Sequence, residues 1–299
     1  MKSIVRLTMI AMLSFLHGIA QNNDNIVKEF LSKDASYILT DMSYMNDAVF
    51  MGRRDSIAAP YILPSVGYYD SSGFFADASL SYLTATNEQR VDLFLLSAGY
   101  LFDAKKWSGG LSATGYFFNK ESYNVQSEMT ANLSGLISYD LDVLAISLAL
   151  NSFFNSGSST DVFSEIMLNR VFYADDRRLI MQPSFVVQLG TQNFYEAYYQ
   201  SSRYGNRKGK GIGGQNQMSS STLTLREATE FNLLNIGLSI PLQYHFSSFI
   251  FSFTPNLSFP QSSVTIRLDD TVIEEKLESI FYWSVGISYW FPTTTKKQF

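Results

Sequence analysis

Three features are scarce in this chain of 299 residues: cysteine, histidine and long apolar segments. The chain has no cysteine, which excludes disulfide bonds, thiolate metal sites and a cysteine nucleophile. Its two histidines, His17 and His245, leave little scope for imidazole chemistry. Beyond residue 20 no apolar segment approaches the roughly 20 residues that a membrane-spanning helix needs. Helical membrane proteins are therefore excluded, whereas strand-built ones are not, because their lumen residues dilute the hydropathy.

The first residues carry the features of an export signal. Lys2 and Arg6 precede the apolar residues 7–16, and small residues close the segment at 18–20. We predict a signal peptide over residues 1–20 that is removed on export. The alternative, an N-terminal membrane anchor, conflicts with the length of the apolar segment. Without Lys2 and Arg6 the formal net charge changes from −5 to −7, which argues against nucleic acid as a partner.

Residues 21–45 differ in pattern from everything that follows them. Their apolar residues recur at near-helical intervals among Lys28, Glu29, Lys33 and Asp34, and they are Ile26, Val27, Phe30, Leu31, Ile38 and Leu39. This spacing predicts one short amphipathic helix, either a periplasmic segment or a plug in the lumen of a barrel. The alternative is a loosely ordered N-terminal extension.

From residue 46 onward the apolar period is two, the period of β-strands. In the final segment Phe281, Val285 and Ile287 alternate with Ser284 and Ser288, so one face is apolar and the other is small and polar. The predicted strands are 48–53, 61–69, 74–84, 91–102, 107–119, 126–139, 143–151, 162–173, 181–192, 231–242, 249–259 and 281–291. Most are longer than the five or six residues typical of soluble sheets and match tilted membrane-spanning strands.

The connections between these strands alternate in length. Short turns rich in Asp, Ser and Gly fall at 70–73, 103–106, 140–142, 174–177 and 245–248, and the longer connections include 193–229 and 260–277. Aromatic residues flank the short turns, as in an interfacial girdle. The fold class predicted is all-β, an antiparallel up-and-down transmembrane β-barrel of about twelve strands. It covers residues 46–291, has its short turns in the periplasm and is followed by a tail, 292–299. A soluble β-sandwich is the alternative fold, but sandwich loops do not sort by length.

Three stretches carry a family resemblance: Gly18-Ile19-Ala20, Pro64-Ser65-Val66-Gly67-Tyr68-Tyr69 and Tyr289-Trp290-Phe291. On these residues the chain resembles the small outer-membrane β-barrel proteins of Gram-negative bacteria, in particular those of the Bacteroidetes type. The resemblance implies a location in the outer membrane and contact with membrane lipid and lipopolysaccharide. It also implies assembly by the barrel-assembly machinery, which reads an aromatic residue at the end of the last strand.

Tyr289, Trp290 and Phe291 are the residues expected to form that assembly signal. The chain departs from the family pattern here, because residues 292–298 follow Phe291 before a second aromatic residue, Phe299. We favour Phe291 as the residue that is read, since Lys296 and Lys297 break the alternation of the strand.

The sequence offers little catalytic or metal-binding chemistry. His245 falls in a predicted periplasmic turn, the wrong rim for a serine–histidine site near the outer leaflet, so we predict that the protein is not an enzyme. Residues 209–214 match GxGxxG but lack a strand–helix context. The acidic residues Asp269, Asp270, Glu274 and Glu275 lack EF-hand spacing. No metal or cofactor is therefore predicted.

The lumen is the remaining candidate for function. Its predicted face is mostly small and polar, and the candidate lining residues are Asp77, Asp92, Glu128, Glu165, Ser284 and Ser288. A barrel of about twelve strands is wider than the eight-stranded size that side chains fill. These features predict a passive channel or transporter for small solutes, of unnamed identity. The alternative is a non-conducting structural or surface-interaction barrel in which residues 21–45 plug the lumen and loop 193–229, with its basic cluster Arg203, Arg207, Lys208 and Lys210, engages a partner.

Overall fold

The computed structural model describes residues 36–54, 58–85, 88–122, 124–156, 160–198, 223–226, 229–263, 265–268, 271–274 and 277–293. The predicted signal peptide, residues 21–35, most of the loop after residue 198 and the tail after residue 293 lie outside the described residues. The strands are β1 (Tyr37–Met45), β2 (Tyr61–Tyr69), β3 (Phe74–Ala85), β4 (Glu88–Ala104), β5 (Trp107–Phe118), β6 (Met129–Asp140), β7 (Ala145–Asn155), β8 (Thr160–Asn169), β9 (Phe172–Ala174), β10 (Leu179–Met181), β11 (Ser184–Gly190), β12 (Leu223–Arg226), β13 (Asn232–Ser239), β14 (Leu242–Phe246), β15 (Phe249–Pro260), β16 (Thr265–Leu268), β17 (Thr271–Glu274) and β18 (Ile280–Pro292). One short helix, α1 (Asn193–Tyr198), lies between β11 and β12.

The strands close into one antiparallel barrel. Around the ring the order is β1 to β8, then β11, β13, β15 and β18, and β18 pairs again with β1. The short strands β9, β10 and β14 extend this wall next to the turns at 175–178 and 247–248. The described residues thus form twelve barrel strands, which confirms the predicted fold class. Three further strands, β12, β16 and β17, form a small separate sheet.

The period of two becomes two different surfaces once the sheet closes. On β7, for example, Ile146, Leu148 and Leu150 are exposed on the outside, whereas Ser147 and Asn151 are buried inside. The same alternation gives the barrel an apolar outer belt. In a closed barrel the backbone N–H and C=O groups are hydrogen-bonded between neighbouring strands. Such a belt can therefore lie in hydrocarbon without leaving backbone groups unpaired. An antiparallel barrel of this construction is located in the outer membrane. None of the described helices is long and apolar enough to cross a bilayer.

The short turns lie at the same rim as the first residue of β1 and the last residue of β18. The turn at Asp70 is typical, because Asp70 accepts hydrogen bonds from the Ser72 backbone (2.9 Å), the Ser72 hydroxyl and the Ser36 hydroxyl (2.8 Å). These bonds, those from Ser72 above all, hold the pKa of Asp70 well below its usual range. In the neighbouring turns Lys106 pairs with Asp142, and this bond raises the pKa of Lys106. In bacterial barrels the rim of short turns is periplasmic and the opposite rim is extracellular, and we name the two rims of this barrel by that rule.

The barrel begins earlier than the sequence pattern predicted. Residues 37–45, expected to belong to a periplasmic segment or plug, form β1, which pairs along its whole length with β2 and β18. Residues 48–53, predicted as the first strand, are not part of the wall. Ile38 and Leu39 suggested a helix, but they are consecutive residues that face opposite sides of a strand. Over so short a segment, helical and strand periods are easily confused.

The start of β6 corrects a second prediction. The expected strand began at residue 126, whereas β6 begins at Met129 and its pairing with β7 shifts register between Met129 and Ala131. Because a one-residue shift exchanges the two faces of a strand, Met129 is buried and Thr130 is exposed, the reverse of the expected arrangement.

Candidate functional site: the barrel interior and its plug

The connection between β1 and β2 turns into the barrel. We call residues 47–54 the plug loop. At its tip the backbone groups of Phe50 and Arg53 exchange two hydrogen bonds of 2.8 Å, which close a tight turn over Met51 and Gly52. Both central residues have positive φ, 49° and 77°, the combination that defines a type I′ turn. The plug loop is therefore a small, defined hairpin.

Phe50 lies in an aromatic cage inside the barrel. Its ring is 5.6 Å from that of Phe153, 5.6 Å from that of Phe163 and 5.2 Å from that of Phe194, each in an edge-to-face arrangement. Phe153 belongs to β7, which is six strands from β1 in either direction around the ring. The plug loop therefore crosses the whole lumen. Edge-to-face pairs contribute about 0.5–1.5 kcal/mol each beyond their burial.

Arg53 fastens the plug loop to the surrounding loops. Its guanidinium donates to the Gln192 side chain at 2.7 Å and to the backbone carbonyl of Ser262, and it lies 5.0 Å from the centre of the Tyr195 ring. Arg53 is only 3% exposed, so these contacts replace most of its water. A buried cation is tolerated only when hydrogen bonds of this kind satisfy it. We call these contacts the latch.

Two buried carboxylates hold the frame around the plug. Asp161 accepts hydrogen bonds from Asn155 Nδ2 (2.8 Å), Thr191 Oγ1 (2.6 Å) and the backbone N–H groups of Asn193 (2.8 Å) and Phe194 (2.7 Å). It thereby fixes the start of α1, the helix that brings Phe194 to the cage. Asp47 accepts from the backbone N–H of Ala59 (3.0 Å) and from Arg54 (2.8 Å), which pins the two ends of the plug loop together.

The plug belongs to an apolar cluster at the end of the barrel that carries the long loops. Its members come from the loop-side ends of the strands and from the plug loop, and include Met45, Phe50, Tyr61, Leu83, Leu93, Tyr116, Phe153, Phe163, Phe194 and Leu234. The cluster closes the lumen at the rim assigned as extracellular.

On the periplasmic side of the plug the interior contains a polar network beside two small apolar clusters, one that includes Leu136 and Met167 and one that includes Tyr37 and Ile250. Hydrogen bonds link side chains on five successive wall strands: Asn151 to Glu165 (3.5 Å), Gln188 to Glu165 (2.9 Å), Asn235 to Gln188 (2.8 Å) and Ser258 to Asn235 (2.8 Å). The plug loop and the strands β11, β13, β15 and β18 line a small cavity of about 30 Å³. That is room for roughly two water molecules. The plug loop and the apolar cluster thus occupy the lumen at this level.

The structure distributes the predicted lumen residues over different surroundings. Glu165 is 3% exposed and lies in the polar network just described, while Asp77 is half-buried on the inner face of β3 and bonded to Ser97. Ser288 donates to Asp41 at 2.7 Å, and Ser284 is half-buried on the same face of β18. These four side chains point inward at separate positions and do not form one cluster.

The other two predicted lumen residues lie near the loops. Asp92, 1% exposed, accepts hydrogen bonds from Tyr61 Oη (2.5 Å), Ser122 Oγ (2.7 Å) and Arg90 Nε (2.9 Å), so it anchors a loop to the wall. Glu128 precedes β6 and accepts from Ser156 Oγ at 2.7 Å, outside the wall strands. The β6 register shift explains the misplacement of Glu128. The functional positions of Phe50 and Arg53 were not predicted from the sequence. The signal that could have indicated them is a run of apolar residues followed directly by arginines in a connection between two strands.

His245 also differs from its prediction. It lies in β14, not in a turn, and is 2% exposed on the inner face near the periplasmic rim. No group of three or more His, Asp or Glu within the described residues is placed to hold a metal ion. Of the acidic loop residues, Asp269, Asp270 and Glu275 lie outside the described residues, as do residues 209–214 and the basic cluster of the same loop.

The predicted assembly residues close β18 at the periplasmic rim. The Tyr289 ring packs 4.8 Å from that of Phe249 and 4.5 Å from that of Phe291 on the outer surface. Trp290 faces inward and packs against Tyr37, Leu39 and Ile250. Their recognition by assembly machinery stays a prediction.

No protein-family model and no curated protein sequence matches this chain. Among solved structures it is similar to the NanC porin, at 9% identity and a TM-score of 0.46 over 84% of this chain and 98% of that one. It is also similar to the COG4313 outer membrane channel from Pseudomonas putida F1, at 10% identity and a TM-score of 0.43 over 87% and 97%. LpxR from Salmonella typhimurium is similar at 10% identity and a TM-score of 0.41 over 85% and 100%. Likenesses of this strength leave the function to be argued from the residues of the barrel itself.

Proposed function

We propose that the protein is an outer-membrane channel for small solutes whose extracellular mouth is held shut by the plug loop. The observation that carries the proposal is the position of Phe50, which lies across the lumen in a cage contributed by β7, β8 and α1. At the level of the cage the lumen is occupied by a hairpin that is not part of the wall, and a hairpin held by non-covalent contacts can move.

The energies involved suit a gate. Removing a buried phenylalanine ring costs about 3–5 kcal/mol, and each 1.4 kcal/mol changes an equilibrium about tenfold. The cage is thus strong enough to keep the closed state dominant. It is also weak enough for a ligand, a partner or a substitution to shift the balance.

The alternative is a non-conducting structural or surface-interaction barrel. The plug also supports this alternative, because a permanently closed lumen would not conduct. The polar network beneath the plug favours the channel. In a barrel with only a structural role, apolar side chains would fill the interior more favourably than a row of buried amides and a carboxylate, because burying polar groups is less favourable than packing apolar ones.

Planar-bilayer recording of the purified full chain tests the proposal. We expect the wild-type protein to be closed most of the time, and the Phe50→Ala/Arg53→Ala variant to be open at least about a hundredfold more often, since the ring alone accounts for several kcal/mol. Arg178→Ala is the matched control, because Arg178 makes an exposed ion pair with Asp175 in a turn at the rim opposite the plug.

Folding is checked independently of current by heat-modifiable gel mobility. If all three proteins migrate as folded barrels and none conducts, the channel is wrong and the non-conducting barrel replaces it. Equal opening by Arg178→Ala would show that the latch does not hold the gate.

A further inference from the structure

Charged residues on the barrel strands are almost all of one sign. Of the described residues of the twelve wall strands, Arg90 is the one Lys or Arg, and it lies at the level of the plug, bonded to Asp92. On the periplasmic side of the plug, the carboxyl groups of Asp77 and Glu165 face inward from β3 and β8. The other described cations near the interior are fixed elsewhere, Arg53 in the latch and Lys106 with Asp142 in a turn.

A second observation points to what this surface can bind. Asn151 is 2% exposed and its Oδ1 accepts no hydrogen bond, although its Nδ2 contacts Glu165. Asn256, 4% exposed on β15, likewise has an Oδ1 without a donor. Amide and carboxylate oxygens are the ligands that hard cations take in proteins. Unpartnered donors exist as well, Asn132 Nδ2 and Asn169 Nδ2, but they are uncharged.

We propose that the lumen below the plug selects small cations over anions, with Asp77 and Glu165 as the selectivity-determining residues. This inference rests on the proposed channel function. Acidic side chains in a narrow passage with low-dielectric walls focus the field along the passage, which raises the local cation concentration and repels anions. An anion meets no Lys or Arg on the described wall strands below the plug, whereas a cation meets both carboxylates and free acceptor oxygens.

Reversal potentials test the selectivity separately from the gate. Current is recorded through the Phe50→Ala/Arg53→Ala channel across a tenfold KCl gradient at pH 8, where an unperturbed histidine is neutral and His245 adds no charge. A pore that passes only K⁺ reverses at about 59 mV under this gradient. We expect a potential of the sign set by K⁺, and we expect adding Asp77→Asn and Glu165→Gln to move it toward zero.

Asp176→Asn is the matched control, because Asp176 is an exposed carboxylate in a periplasmic turn with φ of 50°, a conformation that asparagine also adopts. It should leave the reversal potential unchanged. A potential at zero or of the sign set by Cl⁻ would overturn the inference while the channel stands. A shift as large in Asp176→Asn as in the lumen variants would overturn the assignment to Asp77 and Glu165. Absence of current through a folded open variant would instead overturn the channel function itself.

Discussion

At the scale of single residues, Gly52 has the most constrained position in the plug. A Cβ added there would lie 3.1 Å from Asn235 Oδ1, 3.1 Å from Pro260 Cβ and 3.2 Å from the Pro260 backbone. Its φ of 77° is also one that residues with a side chain seldom adopt. The tip of the hairpin thus lies so close to β13 and β15 that an added Cβ would have to push its neighbours by a few tenths of an ångström.

We expect Gly52→Ala to loosen the closed state. Left-handed backbone costs a residue with Cβ about 1–2 kcal/mol, so the open fraction should rise roughly tenfold in bilayer recordings, more if the Pro260 contact cannot relax. Gly115→Ala adds the same methyl group to β5, where its contacts of 3.3 and 3.4 Å are with the ring of Phe117 and φ is ordinary. The Gly115→Ala variant should have the same open fraction as the wild type. If Gly52→Ala is as tightly closed as the wild type, the tip of the hairpin does not contribute to the closed state.

Residue patterns revealed the wall and missed the plug for a physical reason. On the wall each side chain has one of two environments, so alternation alone placed Ser284 and Ser288 opposite Val285 and Ile287. Residues 48–51 are all buried because the loop is surrounded, and a surrounded loop has no period to detect. Asp92 and Asp77 were both predicted to line the lumen, but Asp92 is distinguished by its hydrogen bonds from Tyr61 and Ser122, which are about thirty residues away in the chain.

At the scale of elements, β18 shows how each strand divides its two faces. Ile287 is 40% exposed and lies between Met42 of β1 and Phe251 of β15, both also exposed, in the apolar belt. Ser284 lies on the inner face between Met45 and Thr254, both buried. One strand therefore contributes to the membrane-facing belt and to the surroundings of the plug.

Ile287→Arg should prevent assembly, because Arg near the bilayer midplane costs about 2–4 kcal/mol in a barrel. Heat-modifiable mobility of the outer-membrane fraction should be lost. Ser284→Arg adds the same side chain on the inner face, away from lipid and next to Met45 of the plug cluster, so mobility should stay intact and the conductance should rise as that cluster is disturbed. Equal loss of mobility in both variants would mean that the two faces of β18 are assigned wrongly.

The strand boundaries that could not be predicted from the sequence are those that depend on how one strand pairs with its neighbour. β6 begins three residues later than its alternation suggests, because the register shift against β7 is a property of two strands together. Strand β1 was hidden for the same reason. Tyr37–Met45 reads as a strand only when β2 and β18 lie on either side of it, and no local pattern reports a partner more than two hundred residues away.

At the scale of the whole molecule, β1 is the element that closes the ring. It pairs with β2 from Tyr37↔Tyr69 to Met45↔Tyr61 and with β18 from Tyr37↔Pro292 to Met45↔Ser284. The plug loop continues directly from β1, so closure of the wall and closure of the lumen depend on the same stretch of chain. For residues 37–45 this coupling replaces the expected arrangement, in which they belonged to a periplasmic segment or to a plug in the lumen.

Deleting residues 37–45 should therefore abolish the folded barrel, not open it. The deletion leaves β2 and β18 with free edges, and a sheet edge in hydrocarbon leaves backbone groups unpaired at several kcal/mol each. We expect loss of heat-modifiable mobility and of protease resistance in membranes. Met42→Ala is the control, because it removes an exposed side chain of β1 while the backbone ladders remain, and it should assemble. A folded barrel after the deletion, conducting or not, would show that β1 is dispensable for closure and that residues 21–45 are the separable segment after all.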